Sequence, residues 1–272
     1  MSDKYKVPAV VNAVAVLREL AARPDGATQA ELVRALSASK SSMHNLLSTL
    51  ESEGMVVREE RSRIYSLGPA LGALGAVASE QMQAVETAAH AVSPLATEYG
   101  LSFAIAYETS DGEAQIIRRF YPPTDVHVGV TLGATFAPPY GALGKCLLAL
   151  RSPVEAEEVI REVELVSYTD KTITDPAQIL QEVEVARERG WAVSRGELNQ
   201  NNALAAILPA ESGPALFVLC LGFADRLDED RMEEIGGRLT GMSEWITGAS
   251  EVDAFSRREA AIAAGSGGNE DE

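Results

Sequence analysis

The first 68 residues carry helix and turn signals in a fixed order, which constrains the fold more than any other feature of the chain. Apolar residues recur at helical spacing over residues 8–22, and Pro24-Asp25-Gly26 is a turn signal that ends this first helix. A helix with one apolar side needs other elements to cover that side. We therefore expect it to pack against the elements that follow.

Two capped helices come next, with a short turn between them. Thr28 and Glu31 have the spacing of a capping box, which predicts the start of a second helix. Ser39 is the predicted N-cap of a third helix, and Gly54 is the residue that ends it. Only Ser37-Ala38-Ser39 separates the two, which is typical of a helix-turn-helix.

A charged hairpin follows the third helix. Two short β-type runs, at residues 55–57 and 64–67, flank the charged tip REERSR. Three helices followed by such a hairpin predict a winged helix-turn-helix. Taken singly, each piece could be an ordinary surface helix or a solvated turn, but the ordered series is far more specific.

In this arrangement the third helix presents its exposed N-terminal side to the major groove of DNA. Lys40 can pair with phosphate or guanine, and Asn45 can contact adenine through two hydrogen bonds, with about 1–3 kcal/mol of discrimination. The arginines of the wing can reach phosphates or the minor groove. The candidate DNA-binding residues are Thr28, Gln29, Lys40, Ser41, Ser42, His44, Asn45, Ser48, Arg58, Arg61, Arg63 and Tyr65.

The charge distribution is compatible with this interpretation only if the cations lie on one face. The chain of 272 residues has a net charge of −17, yet residues 1–68 carry nine Lys and Arg against eight Asp and Glu. The remaining residues therefore carry −18. The acidic part should repel phosphate and orient the approach to double-stranded DNA.

The rest of the chain predicts a linker helix and a larger α/β domain. Residues 69–83 form an Ala- and Gly-rich helix, which we interpret as a linker and part of a dimer interface. Residues 84–250 alternate strands and helices, with a helix over 84–99 that Pro94 is expected to break. Residues 251–272 form an acidic tail predicted to be disordered. Predicted strands are 102–108, 114–120, 126–132, 134–137, 191–195, 203–208 and 215–223; predicted helices are 141–150, 153–162, 176–189 and 228–247.

The segment TFAPPYGALGKCLLAL places a Pro/Gly turn directly before a helix. The backbone N–H groups of Ala142, Leu143 and Gly144 would be unpaired at that helix start, which favours a carboxylate or another anion. Lys145 lies in the same first turn, where we expect a structural or solvent-exposed cation rather than a ligand contact.

Several stretches together resemble the IclR family of bacterial transcriptional regulators. They are the run from Ala30 to Gly68, PPYGALGKCLLAL (138–150), TDKTITDPAQILQEVEVARERGWAV (169–193) and the strand 203–208. The resemblance covers nearly all of residues 8–248. It implies a winged helix-turn-helix, a linker helix and a GAF-like α/β effector domain, assembled as a dimer or dimer of dimers. The family commonly has Arg where this chain has Asn45, which suggests a different operator.

The resemblance also implies where a small-molecule effector would bind. The loop before the helix at 141 would form one rim, and the strands after Trp191 the opposite wall. Leu204 and Gly222 stand where polar residues are frequent, so we favour an acid with an apolar or aromatic body over glyoxylate or pyruvate. The candidate effector-binding residues are Phe136, Tyr140, Gly141, Ala142, Leu143, Trp191, Ser194, Leu204, Cys220 and Gly222.

Other functions have weaker support. Cys146, Ser194 and Cys220 could be nucleophiles, but none has an adjacent His, and no Walker loop or GxGxxG occurs. An enzyme and a ligand-independent DNA-binding protein remain the alternatives. Neither Cys nor His clusters at metal-ligand spacing, so we expect no metal and no cofactor, and two buried thiols. The N-terminus lacks a signal-peptide core, which favours the cytoplasm. Repression is our working expectation, although the residues do not distinguish it from activation.

Overall fold

A computed structural model describes residues 7–81, 83–208 and 214–242. The chain divides into two compact units, Met1–Met82 and Gln83–Glu272. The predicted tail from 251 onward and the end of the last predicted helix lie outside the described residues. In the described part of the chain, no helix is long and apolar enough to cross a bilayer.

The N-terminal unit is a winged helix-turn-helix, as the sequence predicts. Its helices are α1 (Pro8–Ala21), α2 (Gln29–Ala35), α3 (Lys40–Ser52) and α4 (Pro69–Gln81). Its strands β1 (Ala27–Thr28), β2 (Val56–Arg58) and β3 (Ile64–Leu67) form an antiparallel sheet in the order β1-β3-β2. Val16, Leu32, Met43 and Leu47 form its core and hold α3 against α1 and α2.

Side-chain caps fix where the second and third helices begin. The Thr28 hydroxyl accepts a hydrogen bond from the Glu31 N–H at 3.4 Å, and the Thr28 N–H donates to the Glu31 carboxylate at 2.7 Å. This reciprocal pair is the predicted capping box, and it lowers the pKa of Glu31. Ser39 caps α3 by accepting from the Ser42 N–H at 3.1 Å. Both predicted caps are confirmed.

We expect Thr28→Ala to lower the free energy of unfolding of the N-terminal unit by about 1 kcal/mol, because the capping bond of α2 is lost. Thr28→Ser keeps a hydroxyl that can accept the same bond and should leave most of the stability intact. Urea denaturation of the full chain measures both. If Thr28→Ala weakened DNA binding but left unfolding unchanged, the hydroxyl would be a DNA contact and not a cap.

The C-terminal unit is a six-stranded antiparallel sheet with helices on both faces. The sheet order is β6-β5-β4-β9-β8-β7. Its strands are β4 (Ser102–Glu108), β5 (Ala114–Phe120), β6 (Thr135–Phe136), β7 (Trp191–Arg195), β8 (Asn201–Leu208) and β9 (Leu216–Phe223). Its helices are α5 (Gln83–Tyr99), α6 (Gly141–Ala149), α7 (Pro153–Glu162) and α8 (Pro176–Arg189), and α9 covers 229–242 of the described residues. The predicted two-domain α+β fold is confirmed.

Side chains along each strand alternate between the two faces of the sheet, and this decides which residues can contact a ligand. Ala192, Ala205 and Leu219 belong to the core that α6 and α8 cover. Residues next to them in sequence point to the other face, where Trp191 packs against Gly236 of α9. On that face α5 and α9 are joined by the ion pair between Glu98 and Arg238.

Two secondary-structure predictions in this unit are wrong. Helix α5 continues through Pro94. Pro94 lies on the exposed side of the helix, where water can bond the carbonyl oxygen that loses its donor. The stretch 126–132 contains no strand. Its alternating valines come from an irregular loop, which the Tyr121 hydroxyl holds by donating to the Val130 carbonyl at 2.9 Å.

Candidate nucleic-acid interface and candidate ligand cavity

Helix α3 buries one side and leaves the other open. Met43, Leu47 and Leu50 face the core of the N-terminal unit. The opposite side is polar and exposed, and it carries Lys40, Ser41, Ser42, His44, Asn45 and Ser48. Because the buried residues immobilise the helix, this polar side is a fixed surface of the size and shape that enters a major groove.

One further contact orients this surface, and the wing adds cations to the same unit. The Gln29 side-chain amide donates to the Lys40 carbonyl at 3.0 Å and so joins the first turn of α2 to the start of α3. In the wing, Arg58, Arg61 and Arg63 are exposed, and Arg63 has a left-handed φ of 57° at the tip. Glu59 and Glu60 lie beside these cations, so the wing is only weakly positive.

Two of the predicted DNA-binding residues, Tyr65 and Thr28, have structural roles in the N-terminal unit. The Tyr65 ring is 5% exposed and belongs to the core, with the Arg58 guanidinium 5.6 Å from its ring centroid. It can therefore support Arg58 but is not open to a duplex. The Thr28 hydroxyl is occupied by the capping box. The N-terminal side of α3 and the wing arginines remain the candidate contacts.

The C-terminal unit contains a cavity of about 100 Å³ between the start of α6 and the sheet. One wall is the first turn of α6, and the sheet forms the floor. The β7–β8 loop and the irregular loop before β6 close the sides. The lining residues are Val128, Gly129, Val130, Phe136, Tyr140, Gly141, Ala142, Leu143, Ser194, Leu198, Asn199, Asn201, Ala203, Leu219 and Leu221.

Six of the ten predicted effector-binding residues line this cavity: Phe136, Tyr140, Gly141, Ala142, Leu143 and Ser194. The Tyr140 hydroxyl is engaged outside the cavity, where it donates to the Glu164 carbonyl at 3.0 Å. Its ring and not its hydroxyl is therefore available to a ligand. The role of these six residues in binding an effector stays a prediction.

The other four, Trp191, Leu204, Cys220 and Gly222, do not line the cavity. Leu204 and Cys220 are paired in register and share the opposite face of the sheet. Gly222 packs there so tightly that a Cβ atom would lie 2.7 Å from Leu101. Trp191 is covered by Arg189, whose guanidinium is 3.4 Å from the ring centroid. Neighbouring residues of a strand point to opposite faces of the sheet. The cavity is therefore lined by Ala203, Leu219 and Leu221, each of which is one position away from a predicted residue.

The polar end of the cavity is formed by Ser194 and the first turn of α6. Tyr140, the N-cap of α6, provides no side-chain cap, so the N–H groups of Ala142 and Leu143 keep their need for an acceptor. The prediction is wrong for Gly144, whose N–H closes the first helical turn by donating to the Tyr140 carbonyl at 3.2 Å. The Ser194 side chain is 4% exposed and makes no hydrogen bond within the described part of the chain. A Cβ atom at Gly141 would lie 3.9 Å from the Ser194 hydroxyl and 2.8 Å from Leu198, so only glycine fits there at its φ of 66°. These donors can together hold a carboxylate.

Lys145 is a structural cation that is buried rather than exposed. Its side chain is 1% exposed, and its ammonium donates to Glu197 at 2.7 Å, to the Val193 carbonyl at 2.9 Å and to Glu182 at 3.3 Å. Three acceptors use all three of its N–H bonds. The carboxylates of Glu197 and Glu182 therefore compensate its charge, and a ligand in the cavity contacts neutral donors.

Both cysteines are free and buried, as predicted. Burial raises the pKa of the Cys146 thiol to about 12, and that thiol donates to the Ala205 carbonyl at 3.1 Å. Burial also raises the pKa of Cys220. Within the described residues, no group of three or more His, Cys, Asp and Glu side chains could hold a metal ion.

Residues 76–246 match the family model described as bacterial transcriptional regulator IclR C-terminal, and residues 9–60 match the IclR helix-turn-helix domain. Similar proteins include the HTH-type transcriptional regulator KipR of Bacillus subtilis, 29% identical over 235 residues that cover 85% of this chain and 92% of KipR. KdgR of Escherichia coli is 26% identical over 238 residues, covering 86% and 87%.

Solved structures with the same fold include an IclR transcriptional regulator from Alicyclobacillus acidocaldarius. It has a TM-score of 0.81 and 28% identity, and the match covers 90% of this chain and 99% of that one. An IclR homolog from Microbacterium hydrocarbonoxydans, solved in complex with 4-hydroxybenzoate, has a TM-score of 0.74 and 17% identity, with 88% and 97% covered.

Proposed function

Since this chain belongs to the IclR family of bacterial transcriptional regulators, we propose that a small organic acid in its C-terminal cavity changes the affinity of α3 and the wing for operator DNA. The family members are DNA-binding regulators and not enzymes, so the enzyme alternative is excluded. A regulator without a ligand remains the competing hypothesis.

One observation carries the proposal. The Ser194 hydroxyl, which makes no hydrogen bond within the described part of the chain, faces the cavity beside the uncapped start of α6, and the rest of the lining is mostly apolar. A ligand that fills the cavity removes water from this hydroxyl, which costs free energy unless the ligand supplies an acceptor in its place. A carboxylate can accept from both the hydroxyl and the helix N–H groups.

The cavity size and lining limit the class of acid. Phe136, Leu143, Leu219 and Leu221 line it and favour an apolar body. The volume of about 100 Å³ is below the roughly 150 Å³ of an engineered cavity that holds benzene. We therefore propose a monocarboxylate with a short apolar body, with a single aromatic ring as the upper limit. A ring would require the irregular loop at 128–130 to move outward.

We also propose that the regulator acts as a homodimer or a dimer of dimers, in the cytoplasm where it meets the chromosome. Leu74 and Val77 of α4 are 56% and 54% exposed in the single chain, which supports burial against a second copy. An acid that binds one arrangement of the effector domains better than another would then shift the spacing of the two DNA-reading helices.

A thermal-shift series tests the effector proposal. We expect isovalerate, benzoate or 4-hydroxybenzoate to raise the melting temperature, because a ligand at a hundred times its Kd stabilises the folded state by about 2.7 kcal/mol. Succinate should give no shift, since its second carboxylate would lie among apolar side chains. Ser194→Ala should reduce the shift, whereas Ser167→Ala, outside the cavity, should not. Stabilisation by glyoxylate alone would contradict the apolar class, and no shift with any acid would contradict an acid effector.

A further inference from the structure

We infer that the buried ion pair between Lys145 and Glu197 positions one wall of the ligand cavity without touching the ligand; this inference rests on the proposed function. The pair joins two elements that are 52 positions apart in sequence. Lys145 lies on α6, one turn beyond the Gly141–Leu143 segment that lines the cavity. Glu197 lies at the start of the β7–β8 loop, directly before Leu198 and Asn199, which line it from the other side.

The loop depends on side-chain contacts for its shape. It begins with Gly196 at a left-handed φ of 74°, and its residues up to Gln200 belong to neither strand. Thr169 donates to the Gly196 carbonyl at 2.7 Å, and Thr172 donates to the Glu197 carbonyl at 2.6 Å. The Glu197 carboxylate, 6% exposed, is the charged anchor. Together these contacts seat Leu198 against Gly141.

The surrounding charges explain why the pair can be buried. Glu182 lies 3.3 Å from Lys145 and 3.6 Å from Arg195, and Arg195 in turn pairs with Glu229. Opposite charges thus alternate from the cavity wall to the first residue of α9. A buried ion is tolerated only where its partners are fixed in this way. Neutralising Glu197 should therefore loosen the loop at Leu198, whereas neutralising Glu229, at the exposed end, should not.

The test uses the full chain with labelled leucine methyl groups and Glu197→Gln, with Glu229→Gln as the matched control. In the parent we expect magnetisation transfer (NOE) from the Leu198 methyls to Gly141. In Glu197→Gln we expect this NOE to be lost, while Leu47 in the N-terminal unit keeps its signals. Because Glu197→Gln leaves the buried Lys145 ammonium with fewer charged partners, the double variant Lys145→Met with Glu197→Gln is included. It leaves no unpaired ammonium and should show the same loss.

Binding of benzoate is the second readout. If the pair positions the wall, Glu197→Gln should weaken benzoate affinity about tenfold or more, while operator affinity without benzoate stays as in the parent. An unchanged Leu198 NOE in both variants would overturn the inference, and so would a loosened loop with unchanged benzoate affinity. If the parent itself does not bind benzoate, the proposed acid class is at fault, and the methyl signals still decide the role of the pair.

Discussion

Replacing Lys40, Ser42 and Asn45 together with alanine is expected to weaken operator binding at least about a hundredfold, because each good base contact contributes about 1–3 kcal/mol of discrimination. All three side chains are exposed on the N-terminal half of α3, opposite the buried Met43 and Leu47. The cap of α3 uses the backbone N–H of Ser42 and the side chain of Ser39, so the helix start is preserved. The loss should therefore appear in binding and not in folding.

Fluorescence anisotropy with DNA from upstream of the regulator's own gene, at one fixed salt concentration, measures this effect. The matched control is Glu51→Ala with Ser52→Ala, which alters exposed residues at the other end of the same helix. That control should bind at least as tightly as the parent, since it removes a negative charge. A triple variant that is folded and binds its operator like the parent would rule out α3 as the reading helix.

Filling the cavity with Ala203→Leu is expected to abolish the response to the organic acid while operator binding without the acid is retained. Ala203 lies on the sheet floor in register with Leu221, and both side chains face the cavity. A larger side chain would occupy space that the ligand needs. Because that space already exists, the substitution should not destabilise the fold and could add about 0.5–2 kcal/mol, as cavity filling commonly does.

The response is read as the change in operator affinity when benzoate is added, alongside the melting temperature of each variant. Ala177→Leu is the matched control, because it makes the same change at an exposed position on α8. It should respond like the parent. An Ala203→Leu variant that still responds fully to benzoate would show that the acid binds elsewhere.

Local signals made the helices predictable from the sequence. Predicted bounds of α7 and α8 equal the observed ones, because Ser152 and Asp175 cap them and Pro153 and Pro176 follow at the first helical position. The third helix was equally well marked by Ser39 and Gly54. Strand β1 has only two residues, and no pattern of that length can be read as a strand.

The ligand cavity was predictable only where local chemistry defines it. The uncapped helix start could be found from the local sequence, whereas Ser194 was expected only from the resemblance to the IclR family. The facing side chains on β8 and β9 could not, because β9 reads LFVLCLGF and is buried on both faces. Without alternation, a sequence does not tell Leu219 and Leu221 from Cys220 and Gly222. The contact between Lys145 and Glu197 depends on how distant elements pack, and no local pattern marks it.

The mixed charge of the wing has a consequence for how this regulator searches a genome. Glu59 and Glu60 stand among Arg58, Arg61 and Arg63, and α3 adds Lys40 as the cation of its exposed N-terminal half. Affinity for random sequence depends on the number of phosphates neutralised and falls steeply with salt. Because the proposed interface, within the described residues, offers so few cations to phosphate, we expect it to dwell only briefly on non-cognate sites. We therefore expect base recognition to determine its occupancy of the promoter, so that modest changes in that recognition are enough to switch a gene.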